Sequence, residues 1–262
     1  MDTKDYIKDG FLYCGKCHTR KEYVGTCLGK EIRVRVMCRC EAEEQAGKEE
    51  AMQKREEAQR IAAQKTSCIH DKALLDATFD HDDGKTPQLK FLKNYVESWP
   101  EQKAKNHGLL LYGDIGTGKT FCAGCVANAL IEKDVPVLMT SFPKILNSLS
   151  SFGSDDKNGF IQDMMRYSLL VIDDFGLERN TEYAQEQVYS VIDERYKTKL
   201  PLIITTNKSL KELKKPRSMT EARIYDRILS MCVPVRFIGE SRRKEDSLRM
   251  IAECANLFSK GE

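Results

Sequence analysis

Lys119 and Thr120 close the run Gly113-Asp114-Ile115-Gly116-Thr117-Gly118-Lys119-Thr120, which fits G-x-x-x-x-G-K-[ST] at every fixed position. The chemistry that this spacing serves is phosphate binding. Its glycines let backbone N–H groups close around phosphate oxygens, and a helix beginning at the lysine adds its dipole. The lysine then reaches the β- and γ-phosphates, and the hydroxyl ligates Mg²⁺. Further along, the apolar run 168–172 ends in Asp173 and Asp174. Asp173 is the carboxylate expected in the Mg²⁺ shell, and Asp174 the one expected to orient or activate an attacking water. A third apolar run, 202–206, ends at Asn207. Its side-chain amide suits positioning of that water, or alternatively caps a helix starting near Ser209.

Cys14 and Cys17, with Cys38 and Cys40, offer four thiolates in two close pairs. Zinc takes four soft ligands in a tetrahedron, and a segment of about 40 residues needs such a staple because its own core is small. His18 and Cys27 stand near enough in sequence to substitute in the ligand set. The chain has ten cysteines, a polar N-terminus that does not read as a signal peptide, and no long apolar run. These features predict a cytoplasmic protein without membrane contact, in which clustered cysteines serve metals rather than disulfides. Cys122 and Cys125 also match C-x-x-C, but they fall on the helix after the phosphate loop. Small residues at helical spacing there pack against a sheet, so this pair is read as core.

The elements that must position these groups follow from pattern. With 262 residues and a net charge of +2, the chain has room for one full domain and an appendage. Lys and Arg concentrate in 1–40 and 207–249, a distribution that suits a polyanionic partner as well as an ordinary solvated surface. The alternation across 31–36 predicts a strand with one face wet. Residues 41–65 are Ala, Glu, Lys, Gln and Arg with almost no large apolar residue, which predicts an exposed helical linker. Beyond Thr78, apolar runs at 108–112, 136–140, 168–172, 202–206 and 233–238 alternate with helical patterns. That alternation predicts an α/β domain with a parallel sheet covered on both faces. The divisions are 1–40, 41–77 and 78–262. Phe91 and Trp99, in the helix before the phosphate loop, are read as core.

The combination GDIGTGKT, LLVIDDFG, LIITTN, RIYDRI and GESRRK, spread over about 78–250, resembles the AAA+ ATPases of the DnaC/DnaI-type helicase loaders and their IstB-like relatives. The resemblance implies a P-loop NTPase fold with strand order 5-1-4-3-2, and ATP with Mg²⁺ as ligands. It implies Arg227 as an arginine finger acting on ATP in a neighbouring subunit, hence an ATP-dependent homo-oligomer. Arg243 is implied as the sensor on the same subunit's nucleotide. Arg223 and Arg242 stand close enough to act in their places. A zinc-binding segment followed by a Glu/Lys-rich helix resembles the half of such loaders that contacts the replicative helicase. By analogy with initiator-type AAA+ proteins, the region 141–152 would face single-stranded DNA, with Phe142 and Lys144 as candidates; Phe142 suits a core position equally. The implied activity is ATP hydrolysis coupled to loading of a replicative helicase onto single-stranded DNA. A second reading is an IstB-like transposition helper acting with a transposase, which needs no zinc module. A third, a small-molecule P-loop kinase, is opposed by the tandem carboxylates and the polar end of the third strand.

Overall fold

The computed structural model describes residues 4–81, 84, 86–151, 154–176 and 181–258. The chain divides into two compact units, Met1–Ala62 and Ala63–Glu262.

The first unit holds two antiparallel hairpins, β1 (Tyr6–Lys8) with β2 (Phe11–Tyr13) and β3 (Glu22–Cys27) with β4 (Lys30–Arg35). Each reverses through two residues of positive φ, Asp9 and Gly10 in one and Leu28 and Gly29 in the other. Tight hairpin turns of this kind match the right-handed twist of the strands. Asp-Gly is a favoured pair for the purpose, whereas Leu28 has no local hydrogen bond to offset the cost and is 99% exposed. The strand expected at 31–36 is present as β4, but all its residues are exposed. A two-stranded ribbon supplies no second layer, so the alternation has no dry side to face.

Helix α1 (Arg39–Cys68) follows the hairpins and buries only Cys68. Its charged residues pair along the surface as Arg39–Glu43, Glu44–Lys48 and Glu50–Lys54, weak contacts that water and salt screen. The composition that predicted an exposed helix thus gives one.

The second unit continues with α2 (Gln88–Glu97), α3 (Trp99–Ala104), β5 (Gly108–Gly113), α4 (Lys119–Ile131), β6 (Val137–Ser141), α5 (Phe142–Ser150) and α6 (Ser154–Met164). After these come β7 (Leu169–Phe175), α7 (Glu182–Lys197), β8 (Leu202–Thr206), α8 (Leu210–Leu213), α9 (Met219–Met231), β9 (Cys232–Phe237) and α10 (Arg242–Phe258). The sheet is parallel throughout, in the order β6-β7-β8-β5-β9. Numbered within the sheet, this is 5-1-4-3-2 read from the β9 edge.

Successive strand residues point to opposite faces, and both faces are dry. Leu109, Leu111, Val137 and Val171 join α2 and α4 in one core. Leu110, Leu138, Ile172 and Ile204 join α5, α7 and α9 in the other. Cys122 and Cys125 lie in the first core as expected, and so does Trp99. Phe91 does not: it is 45% exposed, because the buried stripe of α2 is Leu89, Leu92, Tyr95 and Val96.

Arg195 on α7 is completely buried. Its guanidinium donates to the carbonyls of Tyr167 (2.8 Å), Ser168 (3.0 Å) and Pro201 (2.9 and 3.2 Å), just ahead of β7 and β8. Burial draws its pKa down to about 9, which leaves it charged at neutral pH. Arg195→Met strands those carbonyls in an apolar setting, and is expected to lower stability by about 3 kcal/mol. Urea unfolding with an unchanged m-value would show the loss as a shift of the midpoint.

Candidate functional site

The phosphate-loop sequence occupies the turn between β5 and α4. Gly113, Gly116 and Gly118 take φ values of 138°, 82° and 90°, which L side chains rarely adopt. At Gly113 and Gly116 space excludes a side chain as well. A Cβ on Gly113 would lie 2.0 Å from the Phe237 carbonyl oxygen, and one on Gly116 2.1 Å from Ser241 Oγ. Thr117 Oγ1 donates to the Asp114 carbonyl at 2.8 Å, bracing the turn. Lys119 is buried, and its ammonium donates to the carbonyls of Gly113 (2.9 Å) and Asp114 (2.6 Å). Desolvation lowers its pKa, against the opposing charges of Asp174, Asp114 and Asp173. Gly118 is the N-cap of α4 and no side chain caps the helix. The first-turn amides and the dipole are left to an anion.

Thr120, one residue into α4, donates from Oγ1 to Asp173 Oδ1 at 2.8 Å. Asp173 and Asp174 stand at the C-terminal end of β7, beside the loop. Burial raises the pKa of Asp173, and hydrogen bonds from Thr205 and Thr120 oppose the rise. Asp174 has a φ of 53°. A cavity of about 200 Å³ opens beside this pair, lined also by His70, Thr140 and Lys144.

Asn207 is exposed just beyond β8. It does not cap the next helix: Ser209 does, through a capping box with Glu212. Arg242 and Arg243 begin α10. The Arg242 N–H donates to the Gly116 carbonyl at 3.0 Å, and its side chain donates to Thr86 Oγ1. Arg243 is exposed and near enough for its charge to act on Lys119. Arg227, on α9, is held within its own chain by Asp193 at 3.2 Å and lies 4.3 Å over the Tyr196 ring. Arg223, one turn earlier, is exposed beside Glu186, Gln187 and Tyr189.

Phe142 is buried edge-on against Phe175, so it is a core residue and does not offer its ring to a base. Lys144 donates to the His70 carbonyl at 2.9 Å.

Two contributors escaped the sequence reading. Thr205 is fully buried on β8 and donates to Asp173 Oδ1 at 2.6 Å. The Phe237 carbonyl packs against Gly113 of the loop. No local signal marks either one, because both depend on which strands become neighbours.

In the first unit, the sulfurs of Cys14, Cys17, Cys38 and Cys40 all lie within 4.8 Å of one another. Cys14 and Cys40 are 3.5 Å apart, and Cys38 and Cys40 3.2 Å. Zn–S bonds of about 2.3 Å in a tetrahedron put sulfurs about 3.8 Å apart, so the donor set fits zinc in type, number and spacing. Hydrogen bonding from Thr19 draws the Cys17 thiol down to about 5, and backbone N–H groups lower Cys14. Cys38 and the other thiols push Cys40 up to about 12, and burial raises Cys38. Four thiolates this close repel one another, and a dication removes that repulsion. His18 and Cys27 are outside the cluster. Lys21 is buried between Asp5 (2.8 Å) and Glu41 (2.7 Å), which raise its pKa and tie together the two ends of the segment that carries the cluster.

This chain is similar to known proteins across most of its length. It is 31% identical over 189 residues to the replicative helicase loader DnaI of Bacillus subtilis, covering 65% of this chain and 59% of that one. It is 25% identical over 150 residues to the replicative helicase loader DnaC of Escherichia coli, covering 56% and 58%. The chain thus matches somewhat under two thirds of the length of these curated relatives. A crystal structure of DnaI superposes with a TM-score of 0.55 at 25% identity, over 68% of this chain and 98% of that one. The parallel sheet, the loop and these neighbours together make the second unit an AAA+ P-loop fold. The model of the family described as IstB-like ATP binding protein matches residues 32–250, and with most of the chain inside that match, the protein belongs to the IstB-like ATP-binding family.

Proposed function

We propose that this protein is an ATPase that loads a replicative helicase onto single-stranded DNA. The observation that carries the ATPase reading is the 2.8 Å contact between Thr120 Oγ1 and Asp173 Oδ1. It joins the phosphate loop to the carboxylate strand at one point, pairing a hydroxyl and a carboxylate of the kind that hold a magnesium ion in such sites. Thr120 and Asp173 would hold Mg²⁺, which when bound neutralises charge on the phosphates.

Lys119 in this reading leaves its two loop carbonyls and donates to the β- and γ-phosphates. The loop amides and the α4 N-terminus bind phosphate oxygens. Asp174 accepts a proton from, or orients, the attacking water, with Asn207 beside it. Arg243 reports on the bound nucleotide from the start of α10. Arg227 is offered to a neighbouring copy in an ATP-dependent oligomer, exchanging its pairing with Asp193. Residues 1–40, with zinc on Cys14, Cys17, Cys38 and Cys40, form the helicase-docking module, 41–77 the linker, whose last part from Ala63 onward already belongs to the second unit, and 78–262 the ATPase. The setting for such work is the cytoplasm.

The two curated relatives, both named replicative helicase loaders, support the choice of partner. So does the cysteine cluster, which a transposition helper does not need. Pull-down of the host's replicative helicase tests the reading. Wild type and Lys119→Ala are expected to retain it, and Cys38→Ser to lose at least about tenfold in affinity. Capture of a transposase instead of the helicase would give the IstB-like transposition helper precedence.

A further inference from the structure

Thr205 sits opposite a fault in the sheet. The register between β7 and β8 runs Ile172 to Ile204 and then Phe175 to Thr206. Two residues, Asp173 and Asp174, therefore face the single residue Thr205, which is the arrangement of a β-bulge. A bulge leaves an extra peptide group out of the ladder, and here a side chain takes up the vacancy. Thr205 Oγ1 accepts from the Asp174 N–H at 2.9 Å and donates to Asp173 Oδ1 at 2.6 Å.

A hydroxyl has one proton to give and lone pairs to receive, and this one spends both on adjacent residues of one strand. The donated bond is short, as bonds to carboxylates are. Thr120 Oγ1 reaches the same oxygen from α4, so hydroxyls from two different elements pin one carboxylate oxygen. Asp174 needs such support because its φ of 53° is costly for an L residue. The next residue of β8 repeats the device on the far side of the bulge, where Thr206 Oγ1 donates to the Phe175 carbonyl at 2.7 Å. The rest of β8 is Leu202, Ile203 and Ile204, all fully buried. The strand turns polar only where it meets the bulge.

We propose that Thr205 is a positioning residue of the nucleotide site: its hydroxyl orients Asp173 for the metal ion and holds the bulged backbone that carries Asp174. This rests on the assignment of Asp173 and Asp174 to the ATP site. A merely structural threonine would affect folding alone. A positioning one separates metal affinity from nucleotide affinity.

Thr205→Val keeps the shape and removes the hydroxyl, Thr205→Ala removes it without placing a methyl group against the carboxylate, and Thr205→Ser restores it. The readouts are Mn²⁺ affinity of the ATP-analogue complex by electron paramagnetic resonance, turnover against Mg²⁺, and nucleotide affinity in EDTA. Val and Ala are expected to weaken Mn²⁺ binding by about 10–100-fold and to lower kcat comparably. Nucleotide affinity in EDTA should stay within about twofold, and Ser should stay within about threefold of wild type throughout. Unchanged Mn²⁺ affinity in a folded Val or Ala variant overturns the proposal. So does a Ser variant as defective as either, a comparison that holds even where Val does not fold. Asp173→Asn separates the two levels of inference. If it weakens Mn²⁺ binding and the Thr205 variants do not, only the role of Thr205 falls. If it leaves wild-type Mn²⁺ affinity, the metal assignment falls and takes this one with it.

Discussion

Lys119→Ala is expected to lower ATP turnover by about 10²–10³-fold, which corresponds to about 2.7–4 kcal/mol of transition-state stabilisation. The ammonium is already buried at the loop, held by the carbonyls of Gly113 and Asp114. An ammonium in a desolvated setting acts far more strongly on developing phosphate charge than one in water. Lys119→Arg should fail almost as badly, since a planar fork cannot occupy the place of a point charge between two carbonyls. Stability should move the other way. The folded-state pKa of Lys119 is lowered, mainly by desolvation, so between that value and the unfolded 10.5 the native state binds fewer protons than the unfolded one. This group's contribution therefore improves as pH rises through that interval and is unfavourable below it. Removing the ammonium should leave Tm unchanged or slightly higher at neutral pH. Steady-state turnover with a thermal melt on the same samples checks both halves, and turnover within tenfold of wild type would take Lys119 out of the reaction.

On the zinc assignment proposed above, removing the ion is expected to unfold the first unit and leave the second intact. Among the described residues of the first unit, only Cys14, Gly15, Lys21 and Cys38 are buried. No leucine, isoleucine, valine or aromatic residue is among them, so there is no apolar core to hold the hairpins once the thiols lose their ion. Structural zinc contributes on the order of 10–16 kcal/mol in small zinc-stapled peptides. Metal analysis should find one zinc per chain, and chelation or Cys38→Ser should abolish amide protection in β1–β4. Protection in β5–β9 should persist, because that sheet carries its own two cores. Protected hairpins in metal-free protein would overturn the assignment.

Much of this was legible along the chain because it depends on near neighbours. The phosphate loop is contiguous, and the strand before it and the helix after it are set by runs of one residue class. The exposed α1 was legible from composition, since a helix without an apolar stripe has nothing to bury. Arg195 was not legible. In sequence it is a basic residue in the last turn of a helix, an ordinary solvated position. It is buried because β7 and β8 both begin beside that turn and present carbonyls that need a donor. Thr205 was hidden in the same way, inside a run that reads only as a buried strand. Phe91 failed for a different reason: hydrophobic type does not say which side of a short helix faces inward, and α2 has a complete stripe without it. The charged-apolar alternation of β4 likewise describes a ribbon correctly and says nothing about whether a second layer exists to cover it.

The contact between Gly116 and Ser241 bears on how this sequence can vary. The volume that a side chain at Gly116 would need is already filled by Ser241 Oγ, and the Arg242 N–H closes on the Gly116 carbonyl. Gly113 meets the same segment through the Phe237 carbonyl. A bulkier residue at 241 therefore presses on the phosphate loop as directly as a substitution within the motif would. The size of the side chain allowed at 241 is thus set by a loop far away in the chain.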